Sequence, residues 1–83
     1  MHLTLISPEK IVFSGAVEMA VIPGAKGEFG VLENHIPFMT MLSQGAVRLY
    51  DGNTLKQDFT ISGGFCEVTP DGCVIVADTV EKT

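Results

Sequence analysis

Turn signals recur at short intervals along this chain, and no segment between them keeps the period of a helix. The pair Asp51-Gly52 predicts one tight hairpin turn, and "TPDG" at 69–72 predicts another. Short apolar runs bounded by glycine, proline and aspartate are typical of β-strands. Because 83 residues can build one core and not two, the sequence predicts a single all-β domain that covers residues 1–83.

The charge balance is acidic, with ten Asp and Glu against five Lys and Arg and a net charge of −5. No basic run interrupts it, so we expect no affinity for nucleic acid or for an anionic membrane surface. Charged and turn-forming residues cut every apolar stretch well short of the roughly 20 residues that a membrane span needs. The N-terminal "MHLTLISPEK" lacks the basic start and the apolar run of a secretion signal. We therefore expect a cytoplasmic protein with no direct membrane insertion.

The segment "VRLYDGNTLKQDFTIS" alternates between apolar and polar residues after its turn. With a period of two residues, Leu55, Gln57, Phe59 and Ile61 are predicted to face the core, and residues 54, 56, 58 and 60 to face water. This strand therefore has one hydrated face.

Two other segments are apolar on both faces. They are "KIVFSGAVEMAVIPG", in which Gly15 is predicted to be a bulge or a bend, and "CVIVAD". In a two-layer sandwich each strand should have one face in the core and one in water, and the runs 16–22 and 73–77 break that rule. We expect either that loops of the chain cover these strands or that their outer face docks on a partner. Met39 and Met41 add apolar surface suited to a core or to an interface.

The two cysteines flank the "TPDG" turn. If residues 69–72 connect two strands, Val68 faces Cys73 and Cys66 faces Ile75, so the cysteines are diagonal neighbours about 7–8 Å apart. That separation is too long for an unstrained disulfide. We predict two reduced cysteines that act as small apolar side chains.

The chain offers few residues for metal or catalytic chemistry. A metal site needs three or four converging ligands, and the histidines are only His2 and His35, with the cysteines in another hairpin. Nucleophilic catalysis needs a serine or cysteine beside a histidine, yet no "GxSxG" or similar motif occurs. We therefore expect no metal site, and no enzymatic activity of this chain by itself.

Residues 24–30 read "GAKGEFG", with glycines at every third position. Phosphate-binding loops need "GxGxxG" or "GxxxxGK[ST]" before a helix, so neither the spacing nor the context fits a nucleotide site. One interpretation is a loop whose glycines adopt positive φ and hold Glu28 and Phe29 out in a fixed shape. The alternative is an ordinary tight connection in which Glu28 is a solvated charge.

Lys26 raises a second functional hypothesis. Small flattened β domains of about this length carry a lipoyl or biotinyl group on a lysine at a hairpin tip. Lys26 stands in "AKG", without the Met or Asp neighbours that such lysines usually have. A carrier domain therefore remains the alternative function.

The segments "FSG", "GEFGVLENHIP", "GAVR", "SGGFCEV" and "VIVAD" follow one another between residues 13 and 78. In order and spacing they resemble the N-terminal β-sandwich domain of the epsilon subunit of bacterial F-type ATP synthase. The likeness covers nearly the whole chain. It implies a two-layer β-sandwich of about ten short, mostly antiparallel strands, and a non-catalytic rotor subunit of the central stalk that needs no cofactor.

The resemblance also implies partners and a location. The domain would link the gamma subunit to the polar loops of the c ring and couple ion translocation to ATP synthesis or hydrolysis. It would be a peripheral protein at the cytoplasmic face of the bacterial inner membrane. The implied c-ring contacts are Lys26, Gly27, Glu28, Phe29, Gly30 and His35, and the implied gamma contacts are Ser7, Thr40 and Met41.

Two features depart from the family's pattern. Glu33-Asn34 stands where the family usually has Pro-Gly before the loop histidine, so the local geometry there is expected to differ. The sequence also stops at "ADTVEKT", where most family members continue into a C-terminal helical hairpin. We accordingly expect a short form that assembles and couples, without an inhibitory arm and without the family's usual ATP site.

Overall fold

The computed structural model describes residues 1–32 and 36–83, and within these residues it contains ten strands and no helix. The all-β prediction is therefore confirmed. The strands are β1 His2–Ile6, β2 Ile11–Ala16, β3 Met19–Gly24, β4 Gly27–Leu32, β5 Phe38–Leu42, β6 Gly45–Asp51, β7 Thr54–Ile61, β8 Gly64–Thr69, β9 Gly72–Ala77 and β10 Val80–Lys82.

The strands form one long sheet that folds over on itself. Its order is β10-β7-β6-β3-β5-β8-β9-β1-β2, and β4 pairs with β3 outside this order. Residues 19–21 of β3 pair with β6, whereas Gly24 at its end pairs with β5, so the sheet divides at β3. Phe13 and Phe59, from opposite regions of the order, lie with ring centroids 6.3 Å apart. The first layer is thus β5, β8, β9, β1 and β2, and the second is β4, β3, β6, β7 and β10.

Strand pairing is antiparallel throughout, except between β1 and β9, which run parallel. The core lies between the two layers, where alternate positions of each strand turn inward. These inward side chains are almost fully buried, and the largest of them are Leu3, Leu5, Ile22, Leu49, Ile61 and Ile75. The predicted sandwich with mostly antiparallel strands is confirmed.

The predicted faces of β7 are right near its end and wrong at its start. Phe59 and Ile61 are buried as predicted, but Leu55 is 46% exposed. Between β6 and β7 the register shifts: Leu49 pairs with Gln57, and Tyr50 then pairs with Leu55. The residue between Gln57 and Leu55 is left unpaired as a bulge. Because one extra residue reverses the alternation of faces, Leu55 turns outward.

The bulge predicted at Gly15 lies elsewhere. Gly15 pairs with Leu3 in regular register, whereas the shift falls at the other end of the β1–β2 hairpin. There Leu5 pairs with Phe13 and Ile6 pairs with Ile11, so Val12 is the extra residue. The glycine content therefore did not locate the irregularity.

The cysteine hairpin has the register that the sequence predicts. Val68 pairs with Cys73, and Cys66 pairs with Ile75. Both cysteines are buried free thiols, and their Sγ atoms lie 3.4 Å apart. The hydrogen bond with the Cys73 thiol, burial, and the proximity of the second sulfur together raise the pKa of Cys66 above its ordinary value of 9.0.

This raised pKa predicts a loss of stability in alkali. The unfolded chain releases the Cys66 proton above about pH 9, whereas the folded protein retains it, so the contribution of this thiol is complete below that pH and is lost as the pH rises. Denaturant unfolding between pH 8 and 11 should show a decline of up to about 1.4 kcal/mol per pH unit from this one proton. The variant Cys66→Ala should start less stable and decline less steeply. Equal slopes for the two proteins would contradict the assignment.

Candidate functional site

The glycine loop is the β3–β4 hairpin, in which Gly24 pairs with Gly27 and Ala25-Lys26 form the exposed tip. A Cβ at Gly24 would lie 2.7 Å from the carbonyl oxygen of Gly27 and 2.9 Å from the Phe29 ring. Gly27 has a φ of +132°, which L side chains rarely adopt. A Cβ at Gly30, in contrast, would meet no atom within 4 Å. Two of the three glycines therefore shape the hairpin, and the third does not.

Glu28 is more than a solvated charge. Its Oε2 lies 3.8 Å from Nη1 of Arg48 on β6, although its side chain remains 55% exposed. The Nε of the same arginine lies 4.0 Å from Oδ2 of Asp58 on β7. No motif in the sequence indicates a role for Arg48 or Asp58. The arginine was visible in the "GAVR" segment, but only the folded register brings it within reach of Glu28.

The interpretation that the loop holds Phe29 out toward solvent is wrong. It is half-buried against the core, and its ring meets Phe38 edge to face with centroids 5.6 Å apart. The hairpin therefore presents Lys26 and Glu28 to solvent, while Phe29 anchors it to the body of the domain. His35 lies outside the described residues, as does the Glu33-Asn34 pair at which a different local geometry was expected.

The residues implied in gamma contact do not form one cluster. Ser7 is buried and follows β1, where its backbone N–H donates a hydrogen bond to the carbonyl of Lys10 at 2.9 Å. Thr40 and Met41 are adjacent on β5, which β8 and β9 separate from β1. Thr40 pairs with buried Cys66 and is half-buried, whereas Met41 pairs with Phe65 and points outward.

Met41 belongs to a larger apolar surface on the outside of the first layer. The strand registers place Met41, Phe65, Val76, Ile6 and Ile11 in one row across five strands, with Met39 and Val74 in the next row. We call the most exposed of these the outer apolar face: Ile11, Met39, Met41, Phe65 and Val74.

The outer apolar face answers the question raised by the doubly apolar strands for the run 73–77, which contributes Val74; the run 16–22 contributes no residue to it. Met39 and Met41 are each 64% exposed, and Ile11 is 61% exposed. With Thr40 and Phe65, the two methionines line an open groove of about 460 Å³. Contiguous apolar surface of this kind marks interaction sites in soluble proteins. None of the described loops covers these side chains.

Residues 1–32 and 36–83 contain no group of three or more His, Cys, Asp and Glu side chains placed to hold a metal ion. The same residues include no helix of the length and apolarity required to span a membrane.

Comparison with known proteins assigns this sandwich to a class of ATP synthase subunit domains. All of residues 1–83 match the family described as "ATP synthase, Delta/Epsilon chain, beta-sandwich domain". The chain belongs to this family, which argues against the carrier-domain alternative for Lys26.

Curated relatives support the same assignment. The chain is 47% identical over 78 residues to the ATP synthase epsilon chain of Hyphomonas neptunium, covering 94% of this chain and 58% of that protein. It is 51% identical over 78 residues to the ATP synthase epsilon chain of Caulobacter vibrioides, covering 94% of this chain and 90% of that protein. The chain thus spans little more than half of the first relative and most of the second.

Solved structures share the fold. A chain in the Euglena gracilis mitochondrial ATP synthase, in a structure of OSCP, F1 and the c-ring, superposes with a TM-score of 0.87 at 27% identity. The match covers 96% of this chain and 51% of the Euglena chain. A chain of the Tetrahymena thermophila central stalk and c-ring structure has a TM-score of 0.78 over 96% of this chain and 64% of that one; at 20% identity it supports the fold alone.

Proposed function

We propose that this chain is a non-catalytic subunit of the central stalk of an F-type ATP synthase. In this role it links the gamma subunit to the c ring and couples ion translocation to ATP synthesis or hydrolysis. The observation that carries the proposal is the outer apolar face, in a domain that belongs to the delta/epsilon sandwich family. The chain would work at the cytoplasmic face of the bacterial inner membrane, as a peripheral protein.

The outer apolar face is the proposed docking surface for gamma. Burying one large apolar side chain stabilises an interface by roughly 1.5–3 kcal/mol before the losses on association are subtracted. Five such residues lie on one rigid layer whose strands are hydrogen-bonded to one another. Such a face can sustain a permanent contact. Of the three residues that the resemblance implied, Met41 is the one that lies within it.

The β3–β4 hairpin is the proposed contact with the ring. It presents an exposed cation, Lys26, and an exposed carboxylate, Glu28, from a turn held in shape by Gly24 and Gly27. Charged groups at the rim of an interface fix its register and orientation more than its affinity. A rotor subunit needs this property, because torque passes through contacts that must not slip.

Reconstitution tests the proposal directly. We expect the 83-residue chain, added to an ATP synthase complex depleted of its epsilon subunit, to copurify with gamma and to restore proton pumping per ATP hydrolysed. Strong inhibition that ATP relieves is not expected from these residues. A failure to associate with the depleted complex would rule out the central-stalk role.

A charge reversal separates the ring contact from the gamma contact. Glu28→Lys should weaken the ring contact by roughly fivefold, the upper range for an exposed ion pair, and so lower coupled pumping while leaving copurification with gamma unchanged. Asp71→Lys is the matched control, because it makes the same change of charge in the β8–β9 turn. This turn lies at one end of β8, whereas the other end of β8 pairs with β5 beside Gly24 of the hairpin. The control variant should pump normally. Equal losses in the two variants would mean that net charge, and not the hairpin, is responsible.

A further inference from the structure

We propose that Arg48 is a positioning residue that holds Glu28 in the free protein and transfers to Asp58 when Glu28 engages a partner. The inference rests on the proposed function, because it concerns how the β3–β4 hairpin is released to the ring. It adds a role for two residues, Arg48 and Asp58, that carry none in the resemblance.

The first observation is that one guanidinium serves two carboxylates and is close to neither. Its distances of 3.8 Å to Glu28 and 4.0 Å to Asp58 both exceed the 2.7–2.9 Å of a charge-assisted N–H···O bond. The two carboxylates lie on opposite sides of β6, since the strand order in this layer is β4, β3, β6, β7. A movement of the guanidinium toward one carboxylate therefore lengthens its distance to the other.

The second observation is that Asp58 has an unmet requirement. Its Oδ1 is buried and has no hydrogen-bond partner among the described residues. A buried acceptor without a donor destabilises a protein, and the deficit is larger for a charged group. Asp58 is also the direct register partner of Arg48, so a short movement of the guanidinium would supply the missing donor.

The strand register shows which residues lie between Arg48 and the two carboxylates. Arg48 pairs with Val21, and Val21 pairs with Gly30, so the Val21 side chain of β3 lies between Arg48 and β4, and the next position of this row, on β4, has no side chain. Space around Gly30 is open. The guanidinium therefore reaches over Val21 to Glu28 on one side, and a withdrawal over β6 brings it to Asp58 on the other.

The consequence is a contact that opens with little loss of free energy. Separating Glu28 from Arg48 would ordinarily leave an arginine without its counter-ion. Here the loss is offset, because Arg48 then donates to the Asp58 carboxylate. The cationic or hydrogen-bond-donating group that takes Glu28 would belong to the polar loop of the ring.

The test uses the isolated 83-residue chain and the solvent exchange of the Arg48 Nε–H, measured by NMR. Glu28→Gln removes the competing carboxylate, so we expect exchange of this proton to slow by roughly threefold or more, as a new charge-assisted hydrogen bond to Asp58 requires. In the double variant Glu28→Gln/Asp58→Asn the slowing should disappear. Glu81→Gln, an exposed charge on β10, is the matched control and should leave the exchange rate unchanged.

Faster exchange in Glu28→Gln would overturn the proposal, because Arg48 would then be released into solvent instead of transferred. Equal slowing in Glu81→Gln would also overturn it, since net charge would explain the effect. Both outcomes are independent of assembly. If the proton exchange behaves as expected but the chain does not copurify with gamma, the proposed function fails and the transfer of Arg48 between the two carboxylates stands. If the chain assembles with gamma but proton exchange accelerates in Glu28→Gln, the proposed function stands and the transfer of Arg48 fails.

Discussion

Replacing Gly64 with alanine should lower the free energy of unfolding by about 4 kcal/mol. Gly64 begins β8 with a φ of +144°, a conformation that strains an L residue by roughly 1–3 kcal/mol. A Cβ there would overlap the carbonyl oxygen of Val76 and lie 2.9 Å from Cα of Ala77. Because these are backbone atoms of β9, the strands would have to separate, which adds about 1–3 kcal/mol.

This loss is large for so small a domain. Typical stabilities of 0.05–0.15 kcal/mol per residue give roughly 4–12 kcal/mol for a chain of this length. Urea or thermal unfolding of the purified chain would measure the change. Gly30→Ala is the matched control, since a Cβ at Gly30 meets nothing within 4 Å, and it should shift stability by less than about 0.5 kcal/mol. If both alanine variants unfold at the same midpoint, the backbone constraint assigned to Gly64 is wrong.

The sequence predicted the fold because its turn chemistry and its alternation are both local signals. The "TPDG" turn fixed the register of the cysteine hairpin, and the observed pairs of Val68 with Cys73 and Cys66 with Ile75 follow from it. The errors at Leu55 and Gly15 have one cause. A bulge depends on how two strands meet across a hairpin, and neither strand alone encodes where the extra residue lies.

The candidate site was less accessible to sequence reasoning, since it depends on contacts between distant segments. The apolar excess of 73–77 was visible in the sequence and predicted either a cover of loops or a docking face. That Ile11 and Met41 share that face follows only from the parallel pairing of β1 with β9. The link between Glu28 and Arg48 likewise required β4 and β6 to lie on either side of β3, which local patterning does not show.

The second large effect is expected on association rather than on folding. Met41→Glu should abolish copurification with gamma while leaving the free domain folded. Met41 is 64% exposed, so a carboxylate at this position stays hydrated in the free chain and should change its stability by less than about 1 kcal/mol. Docking of the outer apolar face would remove water from this carboxylate without supplying a cation or a hydrogen-bond donor in its place. An unpaired buried charge costs several kcal/mol, and a loss of about 3 kcal/mol lowers affinity more than 100-fold.

Leu55→Glu provides the matched control, because it introduces the same charge at an exposed leucine on the other layer. Leu55 is 46% exposed on β7, and the bulge beside it turns it away from the core. Both variants should melt close to the parent chain, and Leu55→Glu alone should still bind gamma in a pull-down or a titration. Retention of gamma by Met41→Glu would contradict docking on the first layer. Loss of gamma in Leu55→Glu would indicate docking on the second layer. The two variants therefore decide which side of the sandwich faces the stalk.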